Sequence, residues 1–237
     1  MSNPVYRLSQ HQAIHSVLEC FDATFFIQNR IMFGGGTRIA LQFDEFRESI
    51  DVDLFCPDKE SYRAVRNTVL SNSLGQLVLQ DFTYLREIRF DRDKVVCFLK
   101  HQGSDIKLEI LSCDSYSLVP DVGQLFPIPY FDLDTCFYTK LLANSDRCRA
   151  YPYKDIVDIL MLFRHLRHIP LTSIQRAESH YGDVVKRDLL FALEHVRTEP
   201  QKYHQTMASL SISQGLITEL LQDVCPQLIQ WLPQWGH

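Results

Sequence analysis

The stretch MFGGGTRIALQFDEFRESIDVDLF, residues 32–55, carries three consecutive glycines, Gly34 to Gly36, followed by an Asp-x-Asp pair, Asp51 and Asp53. From Ile50 to Phe55 apolar and polar positions alternate, which predicts a strand with Ile50, Val52 and Leu54 on one face and Asp51, Asp53 and Phe55 on the other. Aspartate forms strands poorly, so two of them in so short a strand need a reason. Acids on an exposed sheet face can simply keep it solvated. Alternatively, residues i and i+2 project on the same side, close enough for their carboxylates to share divalent metals ~4 Å apart in phosphoryl transfer. The glycines fit either an ordinary turn or a phosphate cradle, in which bare backbone amides meet the anion at a helix start. With no GxxxxGK[ST] in the chain, a P-loop is excluded. A second alternating segment, Asp105 to Ile110, puts Asp105, Lys107 and Glu109 on one face. Glu109 is thus either a third carboxylate from a neighbouring strand or a solvated edge-strand acid.

Around this stretch the pattern predicts a mixed α/β half and a helical half. Ile14, Leu18, Phe21, Phe25 and Phe26 give residues 9–29 the spacing of an amphipathic helix, a short strand follows at Ile31–Phe33, and a second helix starts at Thr37. Residues 59–71 read as a helix, and residues 78–111 as strands with polar turns at Phe90–Lys94 and His101–Ser104. Three prolines and a glycine break any pattern between Val119 and Pro129, and everything beyond about residue 131 reads as helices. The expected fold class is α+β, a mixed-sheet core over residues 1–130 followed by a helical domain over residues 131–237.

The 237 residues, 46% of them hydrophobic, suffice for a sizeable core. A net charge of -5 does not advertise a nucleic-acid or membrane-surface binder, so a polyanion would have to meet a local patch. Seven cysteines without a CxxC point to reduced thiols and away from zinc or a disulfide framework. No signal-like start and no apolar run near the ~18 residues that span a bilayer are present, so the expected location is cytoplasmic, without a membrane partner.

Phe33-Gly34-Gly35-Gly36-Thr37 followed by Arg47-x-Ser49-x-Asp51-Val52-Asp53 resembles the signature of the DNA polymerase β-like nucleotidyltransferase superfamily, in the version found in its AbiEii and MenT toxin branch. Glu109 stands where that branch more usually has aspartate; Lys140, Arg147 and Lys154-Asp155-x-x-Asp158 are similar to its later elements. The extra glycine and Arg38 depart from the pattern. The resemblance, over roughly residues 30–165, implies an NTP donor and Mg²⁺ or Mn²⁺ on Asp51, Asp53 and Glu109. It implies nucleotide contacts from Gly35, Gly36, Thr37, Arg47, Ser49 and Lys140. An RNA acceptor such as tRNA, and a toxin role in toxin–antitoxin or abortive-infection systems with a cognate antitoxin, are further implications. A protein acceptor, or a binding module without turnover, are the alternatives.

In the helical half Leu133, Phe137, Lys140 and Asn144 share one stripe, so Lys140 either snorkels at its edge or meets an anion. The helix from Lys154 is apolar nearly all round, so Asp155 and Asp158 need partners. Pairing with Arg147 or Lys140 is one reading, and proton transfer from the acceptor hydroxyl is the other. His11 and His15 are expected at the surface, His165 and His168 at a helix end, and Trp231 and Trp235 docked on the helical half. Arg86, Arg89, Arg92, Lys94 and Lys100, with Arg147, Arg149, Lys154, Arg164 and Arg167, offer either a basic path for a phosphate backbone or locally paired charges.

Overall fold

Period-two burial in the central strands sets one sheet face against the core and leaves the other polar. The computed structural model describes residues 6–121 and 123–235. Its chain divides into two compact units, one made of residues 1–45 and 49–132, the other of residues 46–48 and 133–237.

The first unit holds a mixed sheet of β1 (Met32–Gly34), β2 (Asp51–Cys56), β3 (Thr83–Tyr84), β4 (Arg89–Phe90), β5 (Lys94–His101) and β6 (Ser104–Ser112). Its order is β1-β2-β6-β5-β3, with β4 also on β5; β2 and β6 run parallel and the other pairs antiparallel. Val52, Leu54, Ile106, Leu108, Ile110, Val95, Cys97 and Leu99 are fully buried and join Ala13, Ile14, Val17 and Leu18 of helix α1 (Ser9–Glu19) in one core. Burying a Leu, Ile or Val side chain stabilises by about 1.5–3 kcal/mol, so this face holds the strand register: a one-residue slip would invert it.

The expected helix over residues 9–29 is two, α1 and α2 (Ala23–Gln28). Asp22 caps α2, accepting from the amides of Thr24 and Phe25 at 2.9 and 3.2 Å, and a cap of this kind competes with helix continuation. Helix α3 (Gly35–Gln42) starts at the glycines themselves, ahead of Thr37, and β2 starts at Asp51, leaving Ile50 57% exposed instead of inward. Helix α4 is Lys59–Thr68.

The second unit is helical: α5 (Leu133–Arg147), α6 (Lys154–Leu166), α7 (Leu171–Tyr181), α8 (Val184–Thr198), α9 (Pro200–Ser209), α10 (Gln214–Glu219) and α11 (Cys225–Trp231), with a π-helical turn over Leu220–Val224. Residues 46–48 belong with it because Arg47 is ion-paired with Asp158 of α6. Trp235 is buried and donates its indole N–H to Glu178 of α7 at 2.7 Å, and Trp231 faces Phe163, so both tryptophans pack on this unit. His165 lies in the last turn of α6, which ends at Leu166. Among the described residues no helix is long and apolar enough to cross a membrane.

Candidate active site

Pairing register brings the glycine turn to the acids. Gly34 is opposite Asp53 in the β1–β2 ladder, so the chain leaves β1 and enters α3 directly beside that carboxylate. Gly35 has φ +72, and a Cβ there would stand 2.2 Å from Asp53 Oδ2. Both the left-handed backbone and the close approach require glycine. Gly36 follows in the first turn of α3, whose unpaired amides can receive an anion. The hydroxyl of Thr37 donates to the Asp51 carbonyl and meets Ser49 Oγ at 2.7 Å, so these two residues fix the entry of β2.

Asp51 and Asp53 are half-buried on the polar face, alternating with buried Val52 and Leu54. Across β2–β6, Asp51 is opposite Lys107 and Asp53 opposite Glu109. Glu109 is engaged: Lys107 Nζ donates to its Oε2, and Lys94 Nζ lies 3.6 Å from its Oε1. Burial pulls the Lys107 ammonium down, but Glu109, Asp51 and Asp53 outweigh that and raise it, so Lys107 is charged at neutral pH. The expected three-carboxylate cage is accordingly not assembled: among the described residues no three His, Cys, Asp or Glu side chains are grouped to hold a metal ion. The hard oxygen pair on one side of β2 still suits a divalent cation, with Glu109 turned to the lysines.

In the helical unit five expected charges, Arg47, Lys140, Arg147, Asp155 and Asp158, meet one another. Arg47 donates two hydrogen bonds to Asp158, at 2.8 and 3.1 Å, and Lys140 Nζ lies 2.7 Å from Asp158 and 3.0 Å from Asp155. Arg147 adds two bonds to Asp155, at 2.8 and 3.0 Å. Burial acts against the Lys140 ammonium, and Asp158 and Asp155 reverse it, holding its pKa above the ordinary value. Arg38, by contrast, is fully buried with Nη1 bonded to Gln42, while its Nε and Nη2 have no hydrogen-bond partner among the described residues.

Residues 17–234 match the family model of the nucleotidyl transferase AbiEii toxin of type IV toxin–antitoxin systems. The chain belongs to the AbiEii family. It is therefore a nucleotidyltransferase of a toxin–antitoxin family, and nucleotidyltransferases of this kind generally use divalent metals. No curated protein matches the sequence. Among solved structures, a candidate nucleotidyltransferase from H. pylori is 16% identical over 92% of this chain and 97% of its own, with a TM-score of 0.43. An antigenic nucleotidyltransferase-like protein from Paracoccidioides brasiliensis is 15% identical over 90% of this chain and 98% of its own, with a TM-score of 0.48.

In the AbiEii chain two histidines and Glu45 also take places that the sequence did not predict. His11 and His15 are buried, not at the surface. The Ser49 amide donates to His11 Nε2 at 3.2 Å while Nδ1 meets Glu45 at 2.9 Å, which requires the neutral tautomer with its proton on Nδ1. Burial pushes Glu45 up, but the amides of Arg7 and Leu8 and the His11 ring outweigh it and hold Glu45 below its ordinary value. Asp155 is likewise pushed up by burial and held low by Lys140 and Arg147. A depressed folded pKa means the unfolded chain binds more protons below the ordinary values, 4.5 for Glu45 and 3.8 for Asp155. Their stabilisation is complete above those values and is lost as pH falls through the lower folded ones. Urea unfolding between about pH 3 and pH 6 should show wild-type stability falling toward acid. Glu45→Gln/Asp155→Asn should flatten that limb; an unchanged slope would remove both carboxylates from the account.

Proposed function

We propose that this AbiEii-family chain transfers a nucleotidyl group from an NTP to a hydroxyl of RNA, with tRNA the fitting class, using Mg²⁺ or Mn²⁺ held by Asp51 and Asp53. The observation that carries the reading is the row formed by Gly34, Asp53 and Glu109 on three adjacent strands, with a glycine-only turn at Asp53. The bound metal would supply charge neutralisation on the triphosphate. Gly35 and Gly36 offer backbone amides to a phosphate, while Thr37 and Ser49 hold the strand that carries the acids. Lys140 keeps one of its three ammonium protons beyond its two carboxylate partners, and we assign that proton to a donor phosphate oxygen. Asp155, Asp158 and Arg47 position Lys140.

In the reaction the acceptor oxygen attacks the α-phosphorus, the bond from that phosphorus to the bridging oxygen breaks, and pyrophosphate leaves. The hydroxyl proton passes to Glu109, which must first loosen its contacts with Lys94 and Lys107. A cytoplasmic location and a cognate antitoxin belong to the same reading, as does a part in abortive infection.

The test incubates the full chain with each of four α-labelled NTPs, Mg²⁺ or Mn²⁺, total RNA and total protein. Label on RNA from one preferred NTP is expected. Label on protein alone would transfer the reading to a protein hydroxyl, and none on either would overturn it.

A further inference from the structure

The polar sheet face continues past Glu109. In register, Glu109 is opposite Val96 of β5, and Val96 is opposite Arg89 of β4; two residues along, Lys107 is opposite Phe98, whose ring lies 3.5 Å below the Arg86 guanidinium. A pocket of about 370 Å³ opens on this stretch, walled by Arg86, Arg89 and Lys94, floored by Phe98 and bounded by Lys107 and Glu109. Adjacent strands are ~4.8 Å apart, so Arg89 lies about 14 Å across the sheet from Asp53, with Glu109 between them.

Charge accounting separates these cations from ordinary solvated ones. Arg92 and Lys100 have carboxylate neighbours, Asp93 at 3.2 Å and Asp105 at 3.9 Å, and Arg164 pairs with Glu219 at 2.7 Å. Arg86 and Arg89 are exposed and have no ion-pair partner among the described residues. Both acids of their pocket have other partners. Asp91 accepts from the amides of Asp93 and Lys94 at 2.7 and 2.9 Å, and Glu109 is taken by the two lysines. Two guanidinium groups thus share a pocket on the side of Glu109 away from the glycine turn.

Building on the RNA-transfer reading, we propose that this pocket is the acceptor subsite. It takes one unpaired nucleotide of a single-stranded RNA segment, its phosphates on Arg86, Arg89 and Lys94 and its base against the Arg86–Phe98 stack. A phosphate chain approaching Asp51 and Asp53 meets repulsion unless cations flank the path, and these stand on the far side of the proposed base. The donor phosphates occupy the opposite side of the row, at Gly35 and Gly36. A volume of 370 Å³ fits a nucleotide and excludes a duplex, and guanidinium planes accept stacked bases.

The test uses Arg86→Glu/Arg89→Glu in the full chain, neither residue having a place in the proposed catalysis. Binding of a fluorescent single-stranded oligoribonucleotide is measured from low to moderate salt. Counterion release from single strands contributes a slope of about 0.7 per neutralised phosphate, so the variant should bind about tenfold or more weakly with a slope shallower by about 1.4. In transfer, its KM for RNA should rise about tenfold while its KM for NTP stays unchanged. Identical affinities and slopes for the two proteins would overturn the subsite, as would an acidic peptide displacing the oligonucleotide at equal concentration. A wild type that binds RNA with the expected slope but labels only protein defeats the transfer reading and this subsite's role together. One that labels RNA equally well in both proteins defeats the subsite alone.

Discussion

Asp53→Asn and Asp51→Asn are each expected to cut nucleotide transfer on the order of 10³-fold or more, because each removes a charge on which the triphosphate chemistry depends. The same changes should leave the fold nearly intact. Asp51 and Asp53 project from one side of β2, so neutralising one relieves repulsion from the other, while Lys107 loses part of the attraction that raises its pKa. These opposed effects act on half-buried groups, and their sum should stay within about 1 kcal/mol in a metal-free melt. Transfer assays at saturating NTP, paired with metal-free thermal melts, check both halves. Activity within tenfold of wild type in either variant would end the assignment of the pair. A large loss of stability would mean that the acids serve the sheet.

The part of this site that lies on strands was legible in the sequence, because period-two alternation is a local property. It put Asp51 and Asp53 on one face and Lys107 and Glu109 on another, and those residues do alternate with buried Val52, Leu54, Leu108 and Ile110. What alternation cannot state is register, and register is what sets Asp53 between Gly34 and Glu109. Nor does it disclose that Lys107 and Lys94 engage Glu109, since the Lys94 contact depends on β5 pairing antiparallel with β6. The helix over residues 9–29 failed at Asp22, where a side-chain cap outcompeted continuation of the apolar pattern. His11 was misplaced because a histidine at helical spacing looks the same whether it meets water or a carboxylate and an amide 34 and 38 residues away. Arg47 belongs to this class too: its neighbours in sequence enter the first unit, but its distant partner Asp158, together with the Glu48 amide donating to the Leu210 carbonyl at 2.8 Å, places residues 46–48 with the helical one.

Asp158→Ala is expected to destabilise the protein by about 3–5 kcal/mol, the range for stripping one partner from a buried ion pair. Asp158 is fully buried and Arg47 is 4% exposed, and the carboxylate serves both the Arg47 guanidinium and the Lys140 ammonium. Its removal leaves two buried cations with Asp155 as the one carboxylate in the cluster, and Asp155 already holds Arg147. Lost packing alone would cost less, and a second variant separates the two causes. Arg47→Met/Asp158→Leu removes the charges in pairs and leaves Lys140 on Asp155, so it should recover most of the stability, as apolar replacements of buried ion pairs commonly do. Urea unfolding of wild type and both variants makes the comparison. If the double variant were as unstable as Asp158→Ala, cavity or strain would be the cause and the unpaired charges would not. If it is stable, its NTP affinity reports directly on Arg47. An affinity equal to wild type confines Arg47 to positioning, and a loss of tenfold or more gives it a donor contact as well.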